Sequence, residues 1–277
     1  MLIKKISYLF VLLLVVKMAN ANDQTLQQQL YDARKQQQPA VILSDKLGVS
    51  LSTDKAYAIQ TAWLKQWLNN KAPQGFKAGL TTKGAQTKFK VTEPVAGVLI
   101  NTPLLALPEK TLTGEGYNKM MIETELGFRM KQPITQPIRS IEELKILTAV
   151  VMPVIELPDL AFDKPLALTG ADIIANNVIA KDFIVGRPQP ITSIDINTVE
   201  ISLKHNKQVI LASSSGTVME NQWQALLWLV NRTLASGWQI TPNQILITGA
   251  VGQMMLAKEG EYLASFSGME TIRFYIN

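Results

Sequence analysis

Residues 121–130 read MIETELGFRM, an alternation that is typical of a β-strand. Successive side chains of a strand point to opposite faces, so the residues at 122, 124, 126, 128 and 130 would share one face. Glu123, Glu125, Gly127 and Arg129 would share the other face. Two carboxylates on one face repel each other unless a divalent cation, the arginine or water relieves the repulsion. The spacing alone favours exposure to water over a metal site.

Glu156 strengthens the case for a metal site, because it lies within the apolar run VVMPVIELP at residues 150–158. A buried glutamate needs a cation or strong hydrogen-bond donors. Together with Glu123 and Glu125, it would complete a set of oxygen ligands for a hard cation. The alternative is a glutamate at a strand end that points outward, and the sequence supports both interpretations equally.

A single lysine, Lys77, stands between two glycines in the segment GFKAGLTT at residues 75–82. The segment is not a phosphate-binding loop, because GxxxxGK[ST] is absent. Lys77 is either a solvated loop residue or a positive charge placed beside an anionic substrate.

The composition limits the chemistry further. The chain of 277 residues has no cysteine, which excludes disulfides, thiolate nucleophiles, zinc fingers and iron–sulfur clusters. His205 is the single histidine, so a site with several histidine ligands is impossible. It falls in a polar turn at residues 204–207 of a predicted hairpin, where we expect it to be exposed. Any metal would be a Mg²⁺, Mn²⁺ or Ca²⁺ ion on carboxylates.

Apolar periodicity predicts three longer helices around a strand-rich middle region. Residues 24–38 form either a short amphipathic helix or a solvated lead-in, and residues 54–68 form a stronger helix with Trp63 and Trp67 as core anchors. Residues 75–211 read mostly as strands and turns, and residues 219–235 read as a further helix. In the last part of the chain, the apolar pattern predicts strands at 245–247 and 272–276.

The first 21 residues have the pattern of a secretory signal peptide. A basic start precedes the apolar run at residues 6–16, and Ala19-Asn20-Ala21 is a cleavage site, with an uncleaved anchor as the alternative. Cleavage after Ala21 would remove three lysines and lower the formal net charge from +5 to +2. We therefore expect a periplasmic or secreted protein that binds neither nucleic acid nor, once cleaved, a membrane.

In their shared order, these segments resemble the fumarylacetoacetate hydrolase superfamily, in the branch of the 2-keto-4-pentenoate hydratases and 4-oxalocrotonate decarboxylases. The resemblance covers nearly the whole mature chain. Five segments resemble family motifs: GFKAGLTT at 75–82 resembles GxKxGxTS, residues 93–99 resemble QPDxGxL, ETE at 123–125 matches ExE, Glu156 matches the third carboxylate, and Asp172 with residues 175–177 resembles DxxADN. The helix AYAIQ at 56–60 and the segments 227–231 and 247–249 also resemble family segments.

The resemblance implies an α+β fold, a strand-rich mixed-sheet roll preceded by a helical segment, and assembly into homo-oligomers. Residues 1–21 would be the signal peptide, residues 22–74 the helical segment and residues 75–277 the catalytic domain.

The resemblance also implies the site. Glu123, Glu125 and Glu156 would hold Mg²⁺ or Mn²⁺, which would chelate the carboxylate and 2-keto oxygen of a small 2-oxo acid. Lys77 would stabilise the resulting anion or transfer a proton. The remaining implied substrate-binding residues are Thr81, Thr82, Asn177, Thr248 and Gly249.

Two positions depart from the family pattern. Val95 stands where the hydratases carry an acidic residue, so Glu93 is the candidate replacement as acid or base. The stretch at residues 157–161, LPDLA, replaces one that carries serine and arginine. The leading hypothesis is a metal-dependent lyase of hydratase or decarboxylase type. The alternatives are a secreted pseudoenzyme that binds a ligand without turnover, and an envelope protein whose glutamates are merely solvated.

Overall fold

The structure is a computed structural model that describes residues 25–47, 51–162 and 168–277. The predicted signal peptide, residues 1–21, lies outside the described residues, and the division into segments at residues 22–74 and 75–277 stays a prediction. None of the helices in these described ranges has the length and apolar character needed to cross a bilayer.

Seven α-helices occur in the described ranges, and the longest carry clear capping signals. Ser52 begins the helix that the sequence predicts at 54–68, because its side chain accepts a hydrogen bond from the N–H of Lys55. Residues 25–35 are helical with Leu26 and Leu30 buried, so the amphipathic helix is confirmed over the solvated lead-in. In chain order the helices are α1 (25–35), α2 (Leu43–Leu47), α3 (Thr53–Leu68), α4 (Lys83–Lys88), α5 (Ile141–Leu147), α6 (Gly170–Ala175) and α7 (Gln222–Ala235).

The strands form two mixed sheets. In chain order they are β1 (Gly75–Gly79), β2 (Val95–Leu99), β3 (Leu104–Leu105), β4 (Lys110–Leu112), β5 (Met121–Met130), β6 (Thr148–Leu157), β7 (Asp182–Val185), β8 (Gln189–Pro190), β9 (Glu200–His205), β10 (Gln208–Ser214), β11 (Ile245–Ile247), β12 (Met255–Leu256), β13 (Gly260–Phe266) and β14 (Ile272–Ile276).

The larger sheet has the order β2-β1-β11-β5-β6-β7-β3, with β12 beside β5 and β8 beside β6. The smaller sheet has the order β10-β9-β13-β14-β4. Parallel pairs, β1 with β11 and β3 with β7, interrupt the antiparallel ladder of the larger sheet. The predicted α+β class, a mixed-sheet roll preceded by helices, is confirmed.

The main hydrophobic core contains residues from one face of the larger sheet, from the helices and from the smaller sheet. Trp63 is completely buried there, and its indole N–H donates a hydrogen bond of 2.9 Å to the carbonyl of Ala175. This hydrogen bond satisfies the one polar group of the buried ring. Trp67 packs edge-on against Tyr31 and remains partly exposed, so Trp63 is the core anchor of the pair.

The opposite face of the larger sheet positions the functional residues. The strand register places Lys77 beside Ile247 and Ile247 beside Gly127, and it places Glu123 beside Glu156. Directly paired residues share a face, so these side chains lie on one surface of the sheet. A smaller apolar cluster fills the same surface, formed by Leu99, Met152, Val154, Ala180, Phe183, Val185, Ile245 and Ile247.

Three local predictions need correction. The helix predicted from residue 219 begins at Gln222, because the side chain of Asn221 accepts hydrogen bonds from two following N–H groups and so caps the helix there. The hairpin turn is narrower than residues 204–207, since only Asn206 and Lys207 lie between the strands. His205 therefore ends a strand, where its ring stacks on Tyr262. The middle region also contains the short helices α4, α5 and α6, which the strand-and-turn pattern did not indicate.

Candidate metal centre

Three carboxylates converge on strands β5 and β6. Glu123 and Glu156 are directly paired across the two strands, and Glu125 lies two residues farther along β5 on the same face. Each residue offers a carboxylate oxygen, and the three oxygens lie within 4.8 Å of one another. This separation is small enough for one divalent cation to bind all three.

Two of the three carboxylates are completely buried, so the water-exposed face that the spacing alone favours is wrong. Glu125 and Glu156 are 0% exposed, and only the side chain of Glu123, at 14%, reaches solvent. Burial disfavours the charged form and, together with repulsion from Glu156, raises the pKa of Glu123 to about 8 although Lys77 opposes the shift. Burial and the two neighbouring carboxylates also raise the pKa of Glu125 well above its usual value.

Lys77 supplies the positive charge beside these carboxylates. It lies in the middle of strand β1 and is 2% exposed, so the solvated-loop interpretation is wrong. Its Nζ lies 2.6 Å from Oε1 of Glu156 and 3.9 Å from Oε2 of Glu123. Burial opposes the charge on Lys77, but the three carboxylates outweigh burial and raise the pKa of its ammonium group.

This contact joins two strands that are not neighbours in the sheet. Strand order separates β1 from β6 by three steps, which is about 14 Å in a flat sheet with strands about 4.8 Å apart. The ion pair between Lys77 and Glu156 spans these three steps, because both side chains are long and lie on the same face of the sheet. The site is therefore a product of the roll and not of any single strand.

The backbone after β11 fixes the orientation of Glu125. The N–H of Gly249 donates a hydrogen bond of 2.7 Å to Oε2 of Glu125. Gly249 has a φ of +107°, a region that favours glycine, and a Cβ at this position would lie 2.5 Å from Cγ2 of Thr81. Glycine therefore allows the backbone to approach the carboxylate.

The buried oxygens of this site fit a divalent cation. Oε1 of Glu125 and Oε2 of Glu156 have no hydrogen-bond partner among the described residues, although both are completely buried. Buried polar atoms are nearly always paired, and carboxylate oxygens are the ligands that Mg²⁺ and Mn²⁺ prefer. The donor set of three carboxylates, without histidine or cysteine, matches these hard ions.

The predicted substrate-binding residues differ in their exposure to solvent. Thr81 and Thr248 are buried, and the hydroxyl of Thr248 donates a hydrogen bond of 2.6 Å to Oε1 of Gln222. Thr82 is exposed and caps α4 by accepting a hydrogen bond from Ala85. Sequence reasoning missed Gln222, because no sequence motif marks this hydrogen-bond partner of Thr248. A substrate-binding role for Thr81, Thr82 and Thr248 stays a prediction.

Asn177 is completely buried and holds strand β2. Its Oδ1 accepts a hydrogen bond of 2.7 Å from the N–H of Val98, and its Nδ2 donates one of 2.8 Å to the carbonyl of the same residue. The next residue, Val178, accepts a hydrogen bond of 3.2 Å from Nζ of Lys77. Sequence reasoning missed Val178, because a main-chain carbonyl that faces a lysine leaves no signal in the side-chain pattern.

Glu93 lies at the surface, just before strand β2. Its Oε2 accepts a hydrogen bond of 3.3 Å from the indole N–H of Trp228, and Glu93 is not one of the three glutamates whose carboxylate oxygens converge. Val95, at the position of the family's acidic residue, is 1% exposed and begins β2. The catalytic role of Glu93 stays a prediction.

The chain is similar to known proteins over most of its length, although no family model matches it. It is 24% identical over 221 residues to 2-keto-4-pentenoate hydratase 1 of Dechloromonas aromatica, covering 79% of this chain and 83% of the relative. It shares a TM-score of 0.85 with 4-oxalocrotonate decarboxylase from Pseudomonas putida G7, at 16% identity over 93% of this chain and 98% of the other. The resemblance to this branch of the fumarylacetoacetate hydrolase superfamily is confirmed.

A more distant structure shares part of the fold. Fumarylpyruvate hydrolase from Pseudomonas aeruginosa has a TM-score of 0.57 and 11% identity, covering 73% of this chain and 88% of the other. That structure is described as a complex with Mn²⁺ and pyruvate, and the decarboxylase structure as a complex with magnesium and adipate. Both neighbours were therefore solved with a divalent metal.

Proposed function

We propose that the protein is a divalent-metal-dependent lyase, of hydratase or decarboxylase type, that acts on a small 2-oxo (enol) carboxylic acid. One observation carries the proposal: three carboxylates, two of them completely buried, converge within 4.8 Å beside the buried ammonium group of Lys77. The relatives named as a hydratase and a decarboxylase support the reaction class.

Each buried residue has a role in this proposal. Glu123, Glu125 and Glu156 would hold Mg²⁺ or Mn²⁺. A bound ion would supply Lewis acidity to a substrate that chelates through its carboxylate and 2-keto oxygens. Lys77, which carries a proton at neutral pH, would stabilise negative charge on the enolate or return a proton to it.

Glu93 is the proposed acid or base because Val95 cannot transfer a proton. Glu93 lies two residues before Val95, and its exposed carboxylate can exchange protons with water. Under this proposal Glu93→Gln lowers turnover while metal binding is retained, since its carboxylate is not one of the three convergent ligands.

Thermal melting of residues 22–277 tests the metal site. Mg²⁺ or Mn²⁺ at 100 times its dissociation constant should stabilise the wild type by about 2.7 kcal/mol relative to EDTA. Glu125→Ala should lose this stabilisation, whereas Glu200→Ala, an exposed glutamate on β9, should keep it. Absence of a shift in the wild type, or an equal shift in Glu125→Ala, would refute the site.

Turnover separates the lyase from a second candidate, a ligand-binding module of the same fold without activity. The buried Val95 at the position of the family's acidic residue favours this candidate. Small 2-oxo acids would be incubated with metal-loaded protein and followed by NMR. Metal-dependent loss of one substrate, abolished in Lys77→Ala, supports the lyase. Metal binding with saturable 2-oxo acid binding and no turnover supports the module.

We further propose that the chain is exported and forms a homo-oligomer. The signal-peptide pattern of residues 1–21 supports export, and the superfamily resemblance supports assembly. N-terminal sequencing of the protein from periplasmic and culture fractions should give a start at Asn22, and light scattering should give a mass that is a multiple of the mature chain. An uncleaved start, or a monomeric mass, would contradict the respective proposal.

A further inference from the structure

The segment after helix α6 has an unusual backbone. Asn177, Val178 and Ile179 have φ values of 57°, 51° and 53°, so three consecutive residues lie in the left-handed region. Asparagine tolerates this region, but valine and isoleucine are β-branched and rarely adopt it. Asn177 is 0% exposed and Val178 is 3% exposed. Surrounding contacts must therefore hold this left-handed turn, residues 177–179, in place.

The side chain of Asn177 provides two of these contacts. It makes hydrogen bonds of 2.7 Å and 2.8 Å with the N–H and carbonyl of Val98. Val98 lies in β2, which is the first strand in the order of the larger sheet. The amide thus pairs with the backbone of this strand as a neighbouring strand would, and it binds the left-handed turn to the sheet.

The left-handed turn meets Lys77 directly. Nζ of Lys77 donates a hydrogen bond of 3.2 Å to the carbonyl of Val178. Gly97 of β2 lies between the left-handed turn and the side chain of Lys77. A Cβ at this position would lie 2.8 Å from the carbonyl oxygen of Asn177 and 3.1 Å from Cγ of Lys77. The stem of Lys77, the backbone of β2 and the turn are therefore packed as one unit.

We propose that Asn177 is a positioning residue for Lys77. Its clamp on Val98 holds the left-handed turn, the turn presents the carbonyl of Val178, and this carbonyl fixes the ammonium group 2.6 Å from Glu156. The strained backbone explains why an amide with two hydrogen bonds to one residue is needed at this place. The catalytic meaning of the inference rests on the proposed lyase function, but the clamp itself does not.

NMR of protein labelled with ¹³C and ¹⁵N in lysine tests the clamp in EDTA, without metal or substrate. The Lys77 side-chain signal is assigned by its loss in Lys77→Met. Asn177→Ala should shift this signal, and its ammonium protons should exchange with water about tenfold faster, the factor expected for one lost hydrogen bond. Asn176→Ala is the matched control, because this neighbouring amide makes no capping hydrogen bond.

Two further variants keep the test decisive if Asn177→Ala does not fold. Asn177→Gly accepts the left-handed backbone but cannot bind Val98, so it should change the Lys77 signal as Asn177→Ala does. Gly97→Ala should move the same signal from the other side, because its Cβ would press on the Asn177 carbonyl and on Lys77. A wild-type Lys77 signal in the folded Asn177 variants, or an equal change in Asn176→Ala, would overturn the proposal.

The two proposals fail separately. A changed Lys77 signal in a protein that binds no divalent metal would refute the lyase function and leave the clamp standing. Normal metal binding and turnover with an unchanged Lys77 signal would refute the clamp and leave the lyase function standing.

Discussion

The ion pair between Lys77 and Glu156 should be the most sensitive point of the site to substitution. The side chains are 3% and 0% exposed, and their charged atoms lie 2.6 Å apart. Removing one partner of a buried pair leaves a charge without compensation and costs about 3–5 kcal/mol. For a chain of this size, 1 kcal/mol corresponds to about 2–4 °C in melting temperature, so Glu156→Gln should lower it by about 6–20 °C.

The assay is a set of thermal melts in EDTA at neutral pH, analysed as a double-mutant cycle. Glu156→Gln, Lys77→Met and the double variant are compared with wild type. The double variant should be more stable than the sum of the two single losses predicts, by about 1–3 kcal/mol, because neither charge is then left alone. Glu200→Gln, on the exposed surface of β9, should melt within about 0.5 kcal/mol of wild type.

Two results would refute this reasoning. A loss below about 1 kcal/mol in both single variants would mean that the pair is solvated, as an exposed ion pair would be. Strict additivity in the cycle would mean that Lys77 and Glu156 do not interact, whatever their individual costs.

Three other perturbations have definite expected outcomes. In EDTA the free energy of unfolding should fall as pH rises from about 4.5 to about 8, by up to about 1.4 kcal/mol per pH unit, because folded Glu123 keeps a proton that the unfolded chain has released. Urea unfolding midpoints that do not change with pH would contradict this, as would a pH dependence that is equally steep in Glu123→Gln. Gly127→Ala should lower the free energy of unfolding in urea by about 1–3 kcal/mol, because its Cβ would lie 2.6 Å from Cγ2 of Val154. An unchanged free energy of unfolding would show that this face of the sheet can accommodate a methyl group. Trp63→Phe should cost about 1–3 kcal/mol by leaving the carbonyl of Ala175 unpaired, and an unchanged unfolding midpoint would show that water replaces the hydrogen bond.

The strongest sequence predictions came from local patterns that the tertiary structure keeps. Strand β5 spans Met121–Met130 as its period of two predicts, and helix α3 at Thr53–Leu68 matches the helix predicted at 54–68. These features depend on neighbouring residues, so alternation and capping chemistry suffice to find them. The start of α7 was misplaced because the apolar stripe continues through Met219, while the backbone is not α-helical until Asn221 caps it.

Local sequence patterns did not predict whether the glutamates are buried. ExE at residues 123–125 looks the same on a solvated face and in a metal site, and only the tertiary structure shows that Glu125 is 0% exposed. Lys77 presents the same ambiguity. Glycines on both sides suggested a loop, whereas the pairing of β1 with β2 and β11 makes Lys77 a buried strand residue.

By itself, the sequence determined which chemistry is available and which family the chain resembles. A chain without cysteine and with one histidine leaves carboxylate oxygens as metal ligands, and the family resemblance that its motifs carry implies a mixed-sheet roll. Only the tertiary structure showed that Lys77 contacts Glu123 and Glu156, because three strand steps separate β1 from β6 and no local pattern shows that their side chains meet. It also decided that Val178 faces Lys77, since a carbonyl is common to all residues and its direction depends on the backbone fold.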